Sequence, residues 1–365
     1  MFWFGLLLMV ATIPGYTGMA LPAQWAVLSF VLPFSLWSGI HASPLHYLGL
    51  GFLAFATLGL FWSPSFYVAL NGLWMDGILA LSFFWGSTKP SLRALYHGLA
   101  VGLAVSSAFA VAQAFGFTGI ATYANNYGGL LFNPVILGGT CAIMIPILLR
   151  ERLWLYIPAL LPGLILANSR GAYLALAVAL AVRYLHWTVA AIGLGIAGIY
   201  FTYHVSDSDA VRLETWSIAL HHLSLLGMGP GSFNAIFFAF TGTIAPFANT
   251  IVHPEFVHND YLQLWFEYGI FALAPLTILA LAAGRAELTA VAVLALFSFP
   301  LYYPISGFIA FAIAGHTLRD FHLPRLRLYD RGSAFLLRLQ SQEPSLARQC
   351  SQAIPSQPRH SHSET

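Results

Sequence analysis

The sequence contains very little charge. Of its 365 residues only 8% are Asp, Glu, Lys or Arg, whereas 58% are hydrophobic and the mean hydropathy is +0.75. An ordinary soluble chain carries roughly 25% charged residues, so this chain could not cover a soluble surface. Its net charge of +2 is too small to predict a nucleic-acid partner. The composition therefore predicts a polytopic membrane protein that contacts the lipid bilayer.

Cysteine is equally scarce. Cys141 and Cys350 lie far apart in sequence, with no second Cys or His at metal-ligand spacing. This excludes a disulfide-rich secreted domain and gives no indication of zinc. Glycine (32 residues) and the aromatic residues (29 Phe, 10 Trp and 16 Tyr) are abundant by contrast. That combination is typical of membrane helices that pack through small residues between aromatic belts.

Apolar runs of about 20 residues, the length that crosses the hydrocarbon core, recur along the chain. They predict an all-α bundle of about twelve spans: 2–19, 22–40, 46–62, 66–86, 92–115, 128–149, 153–167, 171–187, 188–204, 261–283, 286–300 and 301–317. The more polar residues 206–260 predict one large loop that contains short helices. Residues 319–365, rich in Arg, Ser, Gln and Pro, predict a disordered tail after a membrane domain of residues 1–318.

The positions of Lys and Arg predict the orientation of these spans. With both termini in the cytoplasm, most cations fall on the cytoplasmic side, as the positive-inside rule requires. They are Lys89, Arg93, Arg150, Arg152, Arg183, Arg285, Arg319, Arg325, Arg327, Arg331 and Arg338. Only Arg170 and Arg212 then face the opposite side, together with the 206–260 loop. Because they oppose the topology signal, they are candidates for a functional role.

Arg212 lies in a predicted helix over residues 210–226, with Ser208 or Asp209 as its N-cap. The helix places apolar residues on one stripe: Leu213, Trp216, Leu220 and Leu223. Such a helix fits the membrane interface. A cation in the first turn opposes the helix dipole, and a bound anion would relieve that cost. The alternative is pairing with Asp207 or Asp209, or stacking on the tryptophan of the stripe.

Arg170 lies in the Asn168–Ala172 hairpin between two predicted spans. Small residues follow it at intervals of four: Gly171, Ala175 and Ala179. Such a face lets a neighbouring helix approach closely, so the arginine is predicted to sit on a rigid element. A planar guanidinium at that depth suits bidentate binding of a lipid diphosphate. Snorkelling of an interfacial arginine is the alternative.

The third candidate element runs from His253 to Gln263 and leads into a predicted span. His258, at the mouth of a helix, is a candidate general base because imidazole accepts a proton near neutral pH. A structural helix cap is the alternative for His258. His253, Glu255 and His258 also form a weak metal pattern, and we predict no metal.

Two further features have mainly structural interpretations. Residues 227–231 (GMGPG) lack the preceding strand and the following Lys of a phosphate-binding loop, so they predict a tight turn. Asp76 lies near the middle of a predicted span, where an ionisable group is costly and by default a functional candidate. Asp76 has no evident partner in the sequence, and a neutral, hydrogen-bonded carboxyl is the alternative.

Four segments, in order, carry a resemblance to a known family. They are GGLLFNP at 128–134, NSRGA at 168–172, the Arg212–Trp216 pair followed by Gly227, Gly229, Gly231 and Phe233, and HNDYLQ at 258–263 followed by Glu267 and Gly269. In this order and spacing the chain resembles the O-antigen ligase and O-antigen polymerase superfamily, polytopic glycosyltransferases of the bacterial inner membrane. The first 120 residues match that family only in hydropathy.

The resemblance implies a glycan donor carried on undecaprenyl diphosphate and an acceptor that is lipid A–core or another glycan. It also implies periplasmic chemistry in lipopolysaccharide biosynthesis, without a metal or nucleotide cofactor. The matching residues imply that Arg170 and Arg212 bind the diphosphate and that His258 is the catalytic base. We expect four further residues to contact these three rather than the substrate: Asn259, Tyr261, Glu267 and His253. Glu267 is expected to brace a helix rather than to take part in the chemistry. A transporter or flippase of lipid-linked glycan is the alternative from another functional class.

Overall fold

The computed structural model describes residues 1–11, 20–35, 43–117, 127–203, 207–241, 256–282 and 285–319. Within these ranges every regular element is a helix and no strand occurs. Four helices are long and apolar enough to cross a membrane: Pro44–Phe61, Phe66–Ser87, Arg93–Ala114 and Asp260–Ala282. The predicted all-helical class and membrane character are thus confirmed at this level. The predicted tail beyond Arg319, and His253, lie outside the described residues.

Fifteen α-helices occur in the described ranges. They are α1 Phe2–Val10, α2 Ala20–Ser35, α3 Pro44–Leu58, α4 Phe66–Ser87, α5 Arg93–Ala114, α6 Pro134–Arg150, α7 Ile157–Ala167, α8 Arg170–Tyr184, α9 Trp187–Tyr203, α10 Asp207–His221, α11 Ser232–Thr241, α12 Asp260–Tyr268, α13 Leu273–Ala282, α14 Ala286–Phe297 and α15 Pro304–Leu318. Short 3₁₀ helices extend or connect some of them: Gly59–Phe61, Gly129–Leu131, Trp154–Tyr156 and Gly269–Ala272. Each predicted span contains a helix, and the predicted loop contains α10 and α11.

The predicted span 261–283 is a broken helix rather than a continuous one. After α12 the chain forms a 3₁₀ turn at Gly269–Ala272, and α13 then continues. Gly269 has φ +55°, and its Cα lies against the backbone of Leu225, which leaves no space for a side chain. Hydropathy could not reveal this break because its cause is a backbone contact with a residue 44 positions earlier.

Small residues bring the central helices together. Gly86 and Gly315 each face backbone atoms of the partner helix in the α4–α15 pair, and Gly98 faces the backbone of α1. Backbones in membrane helices approach this closely only where side chains are absent. On α8, Ala175 and Ala179 are fully buried, as the small-residue pattern predicted, and α8 packs on α6 and α14.

Candidate functional site

Polar contacts bring the start of α12 to the C-terminal end of α14. Asn259 is the N-cap of α12: its Oδ1 accepts a bond from the Leu262 N–H at 3.1 Å, and its Nδ2 donates to the Leu296 carbonyl at 3.2 Å. The Tyr261 hydroxyl donates to the Ala292 carbonyl at 3.0 Å. Both residues therefore hold α12 against α14. Together they fix the position of His258.

His258 is held in an unusual backbone conformation beside an aromatic cluster. Its φ of +59° lies in the left-handed region, which non-glycine residues rarely occupy. The imidazole makes an edge contact with Phe299, with the ring centroids 4.9 Å apart. Phe299 in turn contacts Phe256 and Tyr303, at 4.4 Å in each case. The ring is partly exposed.

Arg212 is the charged neighbour of this histidine. Burial, and then the positive charge of Arg212, lower the pKa of His258 from 6.5 to about 4. The guanidinium also interacts electrostatically with the Tyr303 phenol. The imidazole is therefore neutral at neutral pH and has a lone pair available for a proton. The positive charge of Arg212 opposes protonation of the imidazole, and an anion bound to the guanidinium would reduce this effect.

The helix that carries Arg212 differs from its prediction at both ends, because it ends at His221 rather than at residue 226. It begins at Asp207, so Ser208 and Asp209 lie within its first turn and neither is the N-cap. Arg212 is the sixth residue of α10, in the second turn, which weakens the expected conflict with the helix dipole. The prediction of a helix at this position is confirmed. The alternative partners Asp207 and Asp209 have no described side chains.

The predicted apolar stripe of α10 divides between two environments. Trp216 and Leu223 pack beside a buried cluster that contains Ile218 and Ala219 of α10 together with Phe233, Phe237, Val257 and Phe266. Leu213 and Leu220 are 53% and 54% exposed. The side of α10 that faces α12 is therefore packed, while an apolar edge is left at the surface. Arg212 lies three and four residues before the buried Thr215 and the half-buried Trp216, on the packed side.

Arg170 is the first residue of α8, at the tip of a tight hairpin. Asn168 adopts the left-handed conformation (φ +44°), and the Ser169 hydroxyl caps α8 by accepting the Ala172 N–H at 3.4 Å. The arginine side chain is exposed. The next residue, Gly171, lies against Phe297 at the C-terminal end of α14. Arg170 thus belongs to the end of the bundle that carries His258, whereas the charge that acts on the imidazole is that of Arg212.

The segment 128–134 forms a rigid entry into α6. Gly129 has φ +58°, and its N–H donates to the Gln113 Oε1 at 2.9 Å. Asn133 caps α6 by accepting the Val135 N–H at 2.8 Å, as a motif that opens a helix requires. The second turn of α6 reaches the hairpin, because Gly138 faces Ser169. This segment therefore supports the end of α8 that carries Arg170.

A buried polar network lies deeper in the bundle. The Tyr268 hydroxyl donates to the Asp76 carboxylate, so the partner that the sequence did not reveal is a tyrosine on α12. Glu267, only 1% exposed, accepts bonds from Gln263 at 3.0 Å and from the Tyr302 hydroxyl at 3.1 Å. Asp76 and Tyr302 also border an otherwise apolar cavity between α3, α4, α13 and α15. The hydrogen bonds of Asp76 and those of Glu267 therefore meet at two adjacent residues of α12, Glu267 and Tyr268.

The glycine-rich segment forms a tight turn, as predicted. Gly227, Gly229 and Gly231 all have positive φ, at +74°, +95° and +61°. The Met228 N–H donates to the Phe266 carbonyl and the Gly229 N–H to the Glu267 carbonyl, both at 2.9 Å. The turn therefore ties the segment after α10 to the C-terminal end of α12.

In the structure the charge of Arg212 acts on His258, and Arg170 lies on α8, which packs on α14, the helix that Asn259 contacts. The turn over residues 298–303, which supplies Phe299 and Tyr303 to the candidate site, was not predicted from the sequence. Its dense Pro and aromatic content (SFPLYY) was the available signal, but hydropathy assigned it to the ends of two spans. Among the described residues no group of three potential metal ligands occurs. The metal alternative stays open, because His253 and Glu255 lie outside those residues.

Comparison with known proteins found no matching family model and no matching curated protein.

Proposed function

We propose that this chain is a membrane glycosyltransferase that moves a glycan from undecaprenyl diphosphate to an acceptor hydroxyl. The single observation that carries the proposal is the His258–Arg212 pair, a neutral, partly exposed imidazole beside a guanidinium. Attack by a hydroxyl requires a base, and departure of a diphosphate requires a cation to stabilise its charge. The pair supplies both groups. The motif resemblance supplies the identity of the donor.

The proposed reaction uses each group once. The acceptor hydroxyl attacks the anomeric carbon of the reducing-end sugar, and its proton passes to a ring nitrogen of His258. The bond from the anomeric carbon to the diphosphate oxygen breaks, and its electron pair leaves with the lipid diphosphate. Arg212 and Arg170 meet the charge that develops on this leaving group, which is usually the largest electrostatic contribution to such catalysis. This scheme requires no metal or nucleotide cofactor.

The bound donor would also prepare the base. A diphosphate between the arginines compensates the charge of Arg212, which is one of the two causes of the low His258 pKa. The imidazole then becomes more basic when the donor is present. Donor binding and proton acceptance are coupled in this way, and this limits proton uptake by the empty site.

The proposed topology has about twelve spans in the bacterial inner membrane, with both termini cytoplasmic. Its supports are the helices within each predicted span and the distribution of Lys and Arg. The 206–260 segment would then be periplasmic, with the exposed Leu213 and Leu220 edge of α10 in the membrane interface. The acceptor we favour is lipid A–core, as in a ligase. A polymerase of the same superfamily differs only in the acceptor.

The test is transfer by the purified protein in proteoliposomes that contain one undecaprenyl-diphosphate-linked glycan. Lipid A–core and a second lipid-linked glycan are offered separately, and elongation of one of them distinguishes ligase from polymerase. His258→Ala should abolish transfer, whereas His221→Ala, an exposed histidine on α10, should leave it intact. Transfer by His258→Ala at the wild-type rate would exclude this residue as the base.

One observation favours a second function, the transport of lipid-linked glycan. Discontinuous helices and buried ionisable groups are typical of transporter sites. Here α12 breaks at Gly269, directly after the Glu267 carboxylate and the tyrosine bound to Asp76. A transporter would move a fluorescent lipid-linked oligosaccharide between leaflets without any acceptor. Replacement of Asp76 by Asn would then stop that movement, whereas a glycosyltransferase would show no acceptor-independent movement at all.

A further inference from the structure

Glu267 has a buried side-chain carboxyl group that receives hydrogen bonds from its own helix and from two other segments. The Gln263 side chain donates to its Oε1 at 3.0 Å and the Tyr302 hydroxyl to its Oε2 at 3.1 Å. The third donor is the backbone N–H of Gly231. Each donor leads to a different part of the candidate site.

The first segment carries His258. The Oε1 of Gln263 accepts the backbone N–H of Val257 at 2.9 Å. Val257 is fully buried and precedes His258, whose φ is +59°. A residue other than glycine keeps the left-handed backbone conformation only where the surrounding structure stabilises it. The chain of bonds from Glu267 through Gln263 to Val257 provides such a hold.

The second segment carries the aromatic wall of the site. Tyr302 lies in the same turn as Phe299, the ring in contact with His258. The Leu301 N–H of this turn also donates to the Asp260 carboxylate at 2.8 Å. The turn is therefore fixed to α12 at two points, one near each end of that helix.

The third segment is the glycine-rich turn that follows the Arg212 helix. Gly231 donates to the carboxylate of Glu267, and Gly229 donates to its backbone carbonyl at 2.9 Å. The turn ends the short connection after α10, and α10 packs against α12. The position of Arg212 relative to His258 therefore depends on the same residue.

Each of the three partners donates, so the side chain at 267 serves as the acceptor for all three. A carboxylate offers about four acceptor positions, whereas a glutamine of the same shape offers two and adds two donors. We propose that Glu267 is a positioning residue that joins these three segments and thereby sets the orientation of His258 toward Arg212. This inference rests on the proposed function, because a base needs a fixed orientation.

The test replaces Glu267 by Gln and reads His258 directly. Diethyl pyrocarbonate acylates neutral imidazole, and mass spectrometry of the His258 peptide gives its rate as a function of pH. We expect the rate to rise about ten-fold and its midpoint to move from about 4 toward 6.5, as the ring leaves the charge of Arg212 and enters water. Glycan transfer should fall about a hundred-fold, as expected for a misplaced catalytic group.

A second variant distinguishes the bond chain from packing. In Gln263→Glu/Glu267→Gln the carboxylate and amide exchange places, so Val257 and position 267 can again donate to an acceptor. We expect this double variant to recover most of the wild-type His258 rate. Glu287→Gln is the matched control, a 1% exposed Glu at the opposite end of α14. It should leave the His258 rate unchanged even where the unfolding temperature falls.

Three results would overturn the inference. They are an unchanged His258 rate in Glu267→Gln, an equal change in Glu287→Gln, and no recovery in the exchanged pair. If Glu267→Gln does not fold, Gln263→Ala breaks only the branch to Val257 and is read in the same way. Failure of the proposed function is a separate result, because the His258 rate requires no glycan. If the acylation rate of His258 changes but the protein transfers no glycan, the positioning role of Glu267 is supported and the proposed glycan transfer is contradicted.

Discussion

The arginines near the two ends of α14, Arg150 and Arg212, act on different kinds of neighbouring groups. At the N-terminal end Arg150 forms an ion pair with the carboxylate of Glu287, which is 1% exposed, and its guanidinium also donates to the Tyr96 hydroxyl at 3.2 Å. At the C-terminal end the charge of Arg212 acts on the neutral imidazole of His258 and on the phenol of Tyr303. A carboxylate thus compensates the first arginine, whereas the groups on which the second acts include a neutral imidazole and a phenol.

This difference separates a structural cation from a candidate functional one. Arg150 is paired with a buried carboxylate, and removing the arginine would leave that carboxylate buried without its cation. Arg212, by contrast, acts on the imidazole that we propose as the base. The comparison predicts that substitutions at the first end change stability, whereas substitutions at the second change chemistry.

The largest effect is expected at the compensated end. Arg150→Met leaves Glu287 buried without its cation, which should lower the free energy of unfolding by about 3–5 kcal/mol. Replacing both residues, as in Arg150→Met/Glu287→Leu, should recover most of that loss. Denaturant unfolding in detergent measures both variants. The His258 reactivity should be unchanged in any variant that folds, and a parallel change would contradict the separation of the two ends.

The next effect concerns the other arginine. Arg212→Ala should lower glycan transfer about 10²–10³-fold, the loss typical when one group that stabilises a developing anion is removed. Its effect on unfolding should stay well below that of Arg150→Met. Arg183→Ala removes an exposed cation that lies over Tyr184 and serves as the control. If both arginine variants transfer glycan equally well, Arg212 does not act on the leaving group.

The all-helical class and the positions of the helices were predictable because apolar runs mark the helices and capping residues mark some of their starts. Hydropathy located the helices, and residues such as Ser169 and Asn259 mark the points where α8 and α12 begin. The break at Gly269 and the left-handed conformation of His258 were not predictable. Both arise from contacts between residues distant in sequence, and periodicity carries no information about them.

The candidate site was predictable in its charged members only. Arg170 and Arg212 stood out because their charge opposes the orientation signal, and His258 because it precedes a span. Asp76, by contrast, seemed isolated because its tyrosine partner is 192 residues away. Glu267 was expected to brace a helix, but only the folded chain brings two of its donors, Tyr302 and Gly231, to α12.

A smaller effect is expected in the pH dependence. With its pKa lowered to about 4, His258 stays a neutral base in mildly acidic solution, so kcat/KM should lose its base only as the pH falls toward that value. Arg212→Gln removes the second cause of the shift but not burial, so the midpoint should rise and still remain below 6.5. The free energy of unfolding should also fall as the pH falls. Between pH 6.5 and about 4 the histidine is protonated in the unfolded state but not in the folded state, so acid favours the unfolded state.

The smallest effect compares two helix caps. Asn259→Ala removes the cap of α12 and the bond to the Leu296 carbonyl, and Ser65→Ala removes the cap of α4. Each should cost about 1 kcal/mol of unfolding free energy, the usual value for an N-cap. Only Asn259 also ties the residue after His258 to the end of α14, so only its loss should alter transfer and His258 reactivity. Equal loss of transfer in both variants would mean that the site responds to helix stability in general, and the distinction between the two ends of α14 would then have no chemical content.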